Sequence, residues 1–217
     1  MDYFLNILGP LLDGTVVTLQ VFICTLVLAV PLGLGLALVR VSHFRTASRL
    51  VSGYVWLMRG TPLMLQMLFI YFALPFVPVI GVRLPDFPAA ILAFVLNYAA
   101  YFAEIFRSGI QSIGRGQYEA SQVLGLSYGQ TMRRIVLPQV IKRILPPISN
   151  ETITLVKDTS LIYVLAMNDL LRAARGMVQR DFTTMPFVVA AAFYLLMTLV
   201  LTWGFMRLEK KYSVYDD

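Results

Sequence analysis

The sequence has almost no cysteine or histidine. Its 217 residues include one cysteine, Cys24, and one histidine, His43. A disulfide requires two cysteines, and a zinc site requires three or four Cys, His or carboxylate ligands. Neither a disulfide framework nor a His/Cys metal cluster can therefore form within one chain, and no metal ligand is assigned.

Charged residues are also scarce. They make up 14% of the chain, whereas 58% of the residues are hydrophobic, above the roughly 45 to 50% that is typical of soluble domains. Because a bilayer core about 30 Å thick is crossed by about 20 apolar helical residues, a chain of this length accommodates five or six spans and no separate catalytic domain. No nucleophile and base stand at a workable spacing, so we expect an integral membrane protein without catalytic residues.

Five segments are long and apolar enough to cross a membrane as helices. The second of them is interrupted by the Gly60-Thr61-Pro62 run, and Gly33 and Gly35 near the end of the first allow a close helix neighbour. The sequence thus predicts an all-α, multi-pass membrane protein with five transmembrane helices, at residues 15–39, 51–75, 87–107, 144–165 and 182–206.

The distribution of lysine and arginine predicts the orientation. With the N-terminus outside, twelve of the 18 basic residues fall in inner segments and four in outer segments, while Arg59 and Lys157 lie within spans. Cytoplasmic loops carry the excess of Lys and Arg, so the N-terminus is predicted outside and the C-terminus inside. The same rule explains the formal charge of +6 without a nucleic-acid partner. Residues 168–181 are then outside and are predicted to form an amphipathic surface helix, with one apolar face made of Leu170, Leu171, Ala174 and Val178.

A polar island at residues 119–138 separates the third and fourth spans on the cytoplasmic side. Ser127 is a suitable N-cap and Gly125 a suitable helix terminator, so we predict two short helices joined at Gly125 and Leu126. The alternative that the pattern leaves open is an ordinary solvated loop linking two spans.

The island resembles the EAA signature of ABC importer permeases. Seven of its eight signature positions match, and the third, Ser121, has a small serine in place of alanine. The positions are Glu119, Ala120, Ser121, Gly125, Ile135, Val136, Leu137 and Pro138. Three further runs resemble the polar amino acid branch of that family, the histidine/glutamine/arginine type. They are Arg59-Gly60-Thr61-Pro62-Leu63 with Gln66, then Ala103-Glu104-Ile105-Phe106-Arg107, and Lys157-Asp158-Thr159-Ser160-Leu161.

This resemblance, which covers nearly the whole chain, implies a fold and a set of partners. The implied fold is the type I ABC importer permease fold, formed by a single transmembrane domain over residues 1–217 whose coupling-helix region is 116–138. The implied partners are an ABC ATPase subunit, a second permease subunit, an extracytoplasmic amino-acid-binding protein, the lipid bilayer and an amino acid substrate. The implied location is the bacterial plasma or inner membrane. The chain has no G-x-x-x-x-G-K-[ST] loop, so it carries no cofactor, and ATP and Mg belong to the partner ATPase.

Polar and charged side chains at membrane depth are the candidates for substrate binding. Charge there costs roughly 2.5 to 3.5 kcal/mol on insertion scales and therefore indicates a partner or a wet cavity. The helical spacing places Asn97, Tyr101, Glu104 and Ser108 in one row on the third span, and Glu151 and Asp158 on one face of the fourth with Thr154 between them. The candidates are Thr61, Gln66, Asn97, Tyr101, Glu104, Glu151 and Asp158. Three carboxylates against Arg59 and Lys157 leave one net negative charge, which favours a basic amino acid such as arginine, lysine or histidine.

Two alternatives remain open at this stage. The carboxylates can form structural ion pairs, Glu104 with Arg107 or Arg59, and Glu151 or Asp158 with Lys157 or a neighbouring subunit. The substrate can equally be a neutral or acidic polar amino acid such as glutamine or glutamate. A secondary transporter that needs no ATPase is a less favoured class, because it leaves the island without a role and the chain shows no internal repeat.

Overall fold

The computed structural model describes residues 2–77 and 81–212, and these residues form helices joined by short connections. The helices are α1 Asp2–Val41, α2 Arg45–Gly60, α3 Leu63–Leu68, α4 Asp86–Gln111, α5 Arg115–Val123, α6 Tyr128–Thr131, α7 Leu137–Asp158, α8 Leu170–Asp181 and α9 Met185–Tyr212. The predicted all-α class is confirmed.

The first helix is longer than the sequence predicted. We expected a span over residues 15–39, but α1 is continuous through 40 residues and contains Pro10 and Pro31. At 1.5 Å per residue it is about 60 Å long, twice the thickness of a bilayer core. The extra residues lie at the N-terminal end, where Ile7 and Leu11 are fully buried against α8 and α9. Tertiary packing therefore extends the helix beyond its predicted start.

The second predicted span, residues 51–75, is broken rather than straight. The helix ends at Gly60, and α3 begins at Leu63 at an angle of 105° to α2. Pro62 has extended backbone angles and cannot donate to the preceding turn, so the interruption expected at Gly60-Thr61-Pro62 is confirmed. A π-helical turn at Phe69–Ala73 and a 3₁₀ turn at Leu74–Phe76 complete the segment.

The remaining predicted spans agree with the observed helices to different degrees. By length and composition, three described helices can cross a membrane, or four if the bent α2–α3 pair is one span. They include α4, close to the predicted 87–107, and α9, which begins three residues later than the predicted 182–206 and continues to Tyr212. The predicted 144–165 span corresponds to most of α7 and a 3₁₀ turn at Thr159–Leu165, and it does not meet that test. The count of five spans and their orientation therefore stay predictions.

The core lies where α1 and α4 cross closely. A side chain at Gly33 would come within 2.9 Å of the Ala99 carbonyl oxygen and 2.7 Å of Phe102 Cβ, so only glycine fits there. Gly35, which the sequence grouped with Gly33, faces open space, with no described atom within 4 Å of the point where a Cβ would stand. Gly33, and not Gly35, therefore accounts for the close contact between α1 and α4. The contact holds α4, which carries three of the seven polar candidates, against the centre of the fold.

The amphipathic helix predicted over residues 168–181 is present as α8. Its carboxylate N-cap, Asp169, accepts hydrogen bonds from the backbone N–H groups of Leu171 and Arg172 at 3.1 Å each. Asp169 is fully buried, and burial raises its pKa from 3.8 to about 6. The buried face consists of Leu170, Ala174 and Met177, so Met177 takes the place that the predicted pattern gave to Val178.

Candidate functional site

A cavity of about 480 Å³ opens at the break between α2 and α3, within the range of roughly 300 to 1,000 Å³ seen for small-molecule sites. Its walls come from three parts of the chain: the α2–α3 break, the middle of α4 and the second half of α7. Its polar lining consists of Thr61, Asn97, Tyr98, Tyr101, Glu151, Thr154 and Asp158, and its apolar lining of Pro62, Leu63, Met64 and Leu161.

Hydrogen bonds organise the wall at the break. Gln66 Nε2 donates to the Thr61 side-chain oxygen at 2.7 Å and to the Met58 carbonyl at 2.9 Å, which bridges the end of α2 and the start of α3. Asn97 Nδ2 donates to Gln66 Oε1 at 3.0 Å and also to the Met58 carbonyl at 3.0 Å. Backbone groups freed by the bend are thus satisfied by side chains. Gln66 lies outside the cavity lining, and it acts on Thr61 and Asn97, which belong to it.

The opposite wall carries two carboxylates. Asp158 lies at the end of α7 and accepts a hydrogen bond from the Tyr98 hydroxyl at 2.8 Å. Glu151 lies two turns earlier on the same helix, and both carboxylates line the cavity. Tyr98 is 2% exposed, so the hydroxyl bonded to Asp158 is held in place by close packing. The two carboxylates face one space in which a positively charged group would be favoured.

Glu104 belongs to a separate cluster of charges. Its carboxylate pairs with Arg40 at the end of α1 and with Arg107 one turn further along α4, and its third partner is Arg59, with an N–O distance of 3.8 Å. Arg40 Nε also donates to Ser52 Oγ at 3.2 Å, which ties α1 to α2. Glu104 lies outside the cavity lining. The structure therefore contains the ion pairs with Arg107 and Arg59 that the sequence left as an alternative.

The polar island bends sharply at Gly125 and Leu126, between α5 and α6, and we call this bend the elbow. Helix α5 ends in a Schellman motif, in which the Leu126 N–H donates to the Ser121 carbonyl at 3.0 Å and the Gly125 N–H to the Gln122 carbonyl at 2.9 Å. Gly125 has φ +71°, a conformation that favours glycine. Ser127 then caps α6 in a reciprocal capping box with Gln130. The predicted junction at Gly125 and Leu126 and the predicted Ser127 cap are both confirmed.

The sequence predicted a short second helix in the island, but the structure shows a long one. From Tyr128 the backbone stays helical through α6, a π-helical turn at Met132–Val136 and α7. Pro138 stands in the first turn of α7, where its missing N–H costs little. One continuous helical rod therefore connects the elbow to Glu151 and Asp158. The sequence missed this continuity because Pro138 and the polar stretch before it resemble a helix boundary.

Exposure differs along the signature residues of the elbow. Ser121 is fully buried, and its hydroxyl donates to the Gln117 and Tyr118 carbonyls. Val136 is buried as well, Ile135 is partly exposed, and the remaining signature positions are exposed, namely Glu119, Ala120, Gly125, Leu137 and Pro138. Beside them, Val123, Leu124 and Tyr128 are 88%, 75% and 73% exposed. The elbow thus presents apolar side chains outward, as interaction surfaces do.

The structure brings five of the seven predicted substrate residues to one cavity, and these are Thr61, Asn97, Tyr101, Glu151 and Asp158. Gln66 lies behind Thr61 and Asn97, and Glu104 lies in the arginine cluster. Sequence reasoning missed Tyr98, because its position next to Asn97 falls on a different helical face from the predicted polar row. A tyrosine at membrane depth near an intramembrane carboxylate was the available signal, since a buried hydroxyl needs a partner.

Comparison with known proteins identifies the family. Residues 29–214 match the family described as binding-protein-dependent transport system inner membrane component. The chain belongs to this family. The resemblance to polar amino acid ABC permeases and the predicted type I importer fold are thereby confirmed.

Relatives of this inner membrane component span nearly the whole chain. It is 36% identical over 207 residues to the arginine transport system permease protein ArtQ of Bacillus subtilis (strain 168), covering 95% of this chain and 94% of that protein. It is 35% identical over 205 residues to the glutamine transport system permease protein GlnP of Escherichia coli (strain K12), covering 94% and 93% of the two chains.

Solved structures agree with this family assignment. The chain resembles the crystal structure of an amino acid ABC transporter with histidines, with a TM-score of 0.87, 32% identity and coverage of 96% and 97% of the two chains. A methionine ABC transporter, MetNI in an inward-facing conformation, shares the fold with a TM-score of 0.68 at 16% identity, over 98% of each chain. The family and these neighbours imply an ATPase and a binding protein as partners.

Proposed function

We propose that this chain is a pore-forming permease subunit of an ATP-driven amino acid importer in a bacterial inner membrane, and that its substrate is a basic amino acid. The observation that carries the proposal is the pair of carboxylates, Glu151 and Asp158, on one wall of the cavity. Among the described residues, the cavity lining includes no basic side chain. A cationic side chain would therefore meet two carboxylates and no basic side chain in the lining.

The substrate-binding residues follow from the cavity walls. Glu151 and Asp158 attract the cationic side chain, with Asp158 oriented by Tyr98. Thr61 and Asn97 offer hydrogen-bonding groups from the opposite wall, and Gln66 positions both of them. Tyr101 closes the side nearest Glu104, which acts on the site from outside. The similarity to ArtQ, named for arginine transport, supports a basic substrate.

Coupling to ATP is assigned to the elbow of the polar island. ATP binding draws two cytoplasmic ATPases together, and these move the paired elbows of two permease subunits, which are either two copies of this chain or this chain and a close relative. Because α6 to α7 is a continuous helical rod, the movement reaches the carboxylate wall of the cavity. Access to the cavity then alternates between the two sides of the membrane. The ATPase, the second permease and the binding protein are required partners.

The proposal is tested by neutralising the carboxylate wall. Glu151→Gln and Asp158→Asn should each lower the affinity of the reconstituted transporter for arginine or lysine, by about tenfold or more if one charge contact is lost, with little effect on glutamine. The isosteric amides preserve the shape of the cavity. Equal affinities for arginine before and after both substitutions would contradict a basic substrate.

A glutamine transporter is the second candidate, and a specific similarity favours it. The relative named GlnP is almost as similar to this chain as ArtQ. In this alternative Glu151 and Asp158 bind the α-amino group, and Asn97, which Gln66 positions, recognises the substrate amide. The amide substitutions would then weaken glutamine and arginine binding alike, because every amino acid has an α-amino group.

A further inference from the structure

Arg59 stands between the arginine cluster and the cavity. It lies at the last turn of α2, immediately before the break, and its guanidinium is 5.3 Å from the ring centroid of Tyr101, which lines the cavity. On its other side, its Nη1 is 3.8 Å from Glu104 Oε2. A guanidinium over an aromatic face within about 6 Å is held by a cation–π interaction. Arg59 therefore contacts both Tyr101, which lines the cavity, and Glu104, which belongs to the arginine cluster.

Of the three arginines on Glu104, Arg59 is the one held least tightly. Arg40 and Arg107 make hydrogen-bonded ion pairs with the two carboxylate oxygens, whereas the contact of Arg59 is longer than a hydrogen bond. The side chain of Arg59 is 41% exposed, against 14% for Arg40 and 25% for Arg107. Glu104 is thus already satisfied by two cations, and Arg59 is the member of the cluster that can move.

The charges around Arg59 favour the cavity side. In the cluster, one carboxylate faces three guanidinium groups, and Arg40 and Arg107 already exceed its single negative charge, which disfavours a third cation there. On the cavity side, the Tyr101 ring that the Arg59 guanidinium contacts lines the same cavity as Glu151 and Asp158. A movement of Arg59 past the Tyr101 ring would therefore bring its guanidinium toward two carboxylates.

We propose that Arg59 is the resident counter-ion of the substrate cavity, which a cationic substrate displaces, and that Arg59 thereby sets the preference between basic and neutral amino acids. This inference rests on the proposed function. A guanidinium near Glu151 stabilises the empty cavity, and an entering cation must compete with it for the same carboxylate. A neutral substrate brings no second positive charge and meets no such competition. Glu104 is a positioning residue in this account, since it holds Arg59 back from the cavity.

The first test removes the competing charge. Binding of radiolabelled arginine and glutamine is measured at low ionic strength on the permease–ATPase complex in nanodiscs, without the binding protein. Arg59→Gln should tighten arginine binding by about fivefold or more and change glutamine binding by less than about twofold. Arg59→Lys, which keeps the charge, should restore most of the original preference. A role of Arg59 in the bend alone would change both affinities together, and that outcome, or weaker arginine binding, overturns the proposal.

The second test uses Glu104 in a double-mutant cycle. Glu104→Gln frees Arg59 to approach the cavity and should weaken arginine binding relative to glutamine binding. In the Arg59→Gln background the same substitution should have no effect on this ratio, because the cation through which Glu104 acts is gone. An equal effect in both backgrounds would show that Glu104 acts on the substrate without Arg59. The ratio of two affinities is used because it cancels any loss of folded protein.

The same data separate this inference from the proposed function. If the unsubstituted complex binds arginine through Glu151 and Asp158 but Arg59→Gln leaves the ratio unchanged, the counter-ion role fails and the basic-substrate function stands. If the unsubstituted complex has no preference for basic amino acids, both fail.

Discussion

The Tyr98 hydroxyl donates a hydrogen bond to the Asp158 carboxylate over 2.8 Å and so joins the buried side of α4 to the end of α7. The bond fixes one oxygen of a carboxylate that lines the cavity. It also links the core helix to the helical rod that begins at the elbow. Loss of this single hydroxyl should therefore affect substrate affinity as well as stability.

Tyr98→Phe tests this link. Removing the donor leaves Asp158 without its orienting partner, and the free energy of unfolding should fall by about 1 to 3 kcal/mol. The affinity for a basic amino acid should fall severalfold, measured by labelled arginine binding. Tyr54→Phe is the matched control. The Tyr54 hydroxyl donates to the Leu96 carbonyl over 2.6 Å, and neither residue lines the cavity. If both substitutions change arginine affinity equally, the orienting role of Tyr98 is wrong.

The close crossing of α1 and α4 gives a prediction with an internal control. Gly33→Ala places a methyl group against the Ala99 carbonyl and Phe102 Cβ, whereas Gly35→Ala meets no described atom within 4 Å. The first should destabilise the protein by about 1 to 3 kcal/mol, and the second should be neutral or slightly stabilising, because alanine favours helix. Thermal unfolding in detergent distinguishes them. Equal melting temperatures would show that the helices do not approach as closely as described.

The elbow is tested at its positive-φ glycine. Gly125→Val forces a β-branched residue into φ +71°, which costs roughly 1 to 2 kcal/mol locally and should displace the end of α5. We expect uptake per ATP hydrolysed to fall sharply while ATP binding by the partner stays intact. Gly129→Ala is the control, since Gly129 lies in α6 with open space around it. Unchanged coupling in Gly125→Val would contradict the elbow as the site of force transfer.

The buried carboxyl group of Asp169 should make the stability of the folded protein depend on pH. Burial raises its pKa in the folded protein from 3.8 to about 6, so the folded state binds the proton more tightly than the unfolded state does. The stability contributed by the protonated form is present below pH 3.8 and is lost as pH rises through about 6. Asp169→Asn keeps an oxygen acceptor for the N-cap but does not titrate, so its stability should change less between about pH 4 and 7. Parallel pH profiles of the two proteins would contradict this account.

The sequence predicted the elements whose signals are local. The third and fifth spans, the outer helix, the break at Pro62 and the cap at Ser127 each depend on hydropathy, proline or a capping side chain within a few residues. The N-terminal extension of α1 was missed because its helical state depends on burial of Ile7 and Leu11 against distant helices. The continuity of α6 with α7 was missed because a proline in the first turn of a helix looks like a boundary in sequence.

The candidate site was predictable in its residue types but not in its grouping. Helical spacing placed Asn97, Tyr101 and Glu104 in one row, yet the row passes from the cavity into the arginine cluster. The partner that separates Glu104 from the others is Arg40, which is 64 residues away in sequence. No periodicity within α4 carries that information, because the contact is set by the crossing of α1 and α4.

The most direct test of the proposed function is uptake of labelled arginine into proteoliposomes that contain this permease, its ATPase and its binding protein. We predict uptake that requires ATP, is competed by unlabelled lysine more strongly than by glutamine, and is reduced by Glu151→Gln with Asp158→Asn. Arginine uptake that persists without ATP, or glutamine that competes better than lysine, would contradict the central claim.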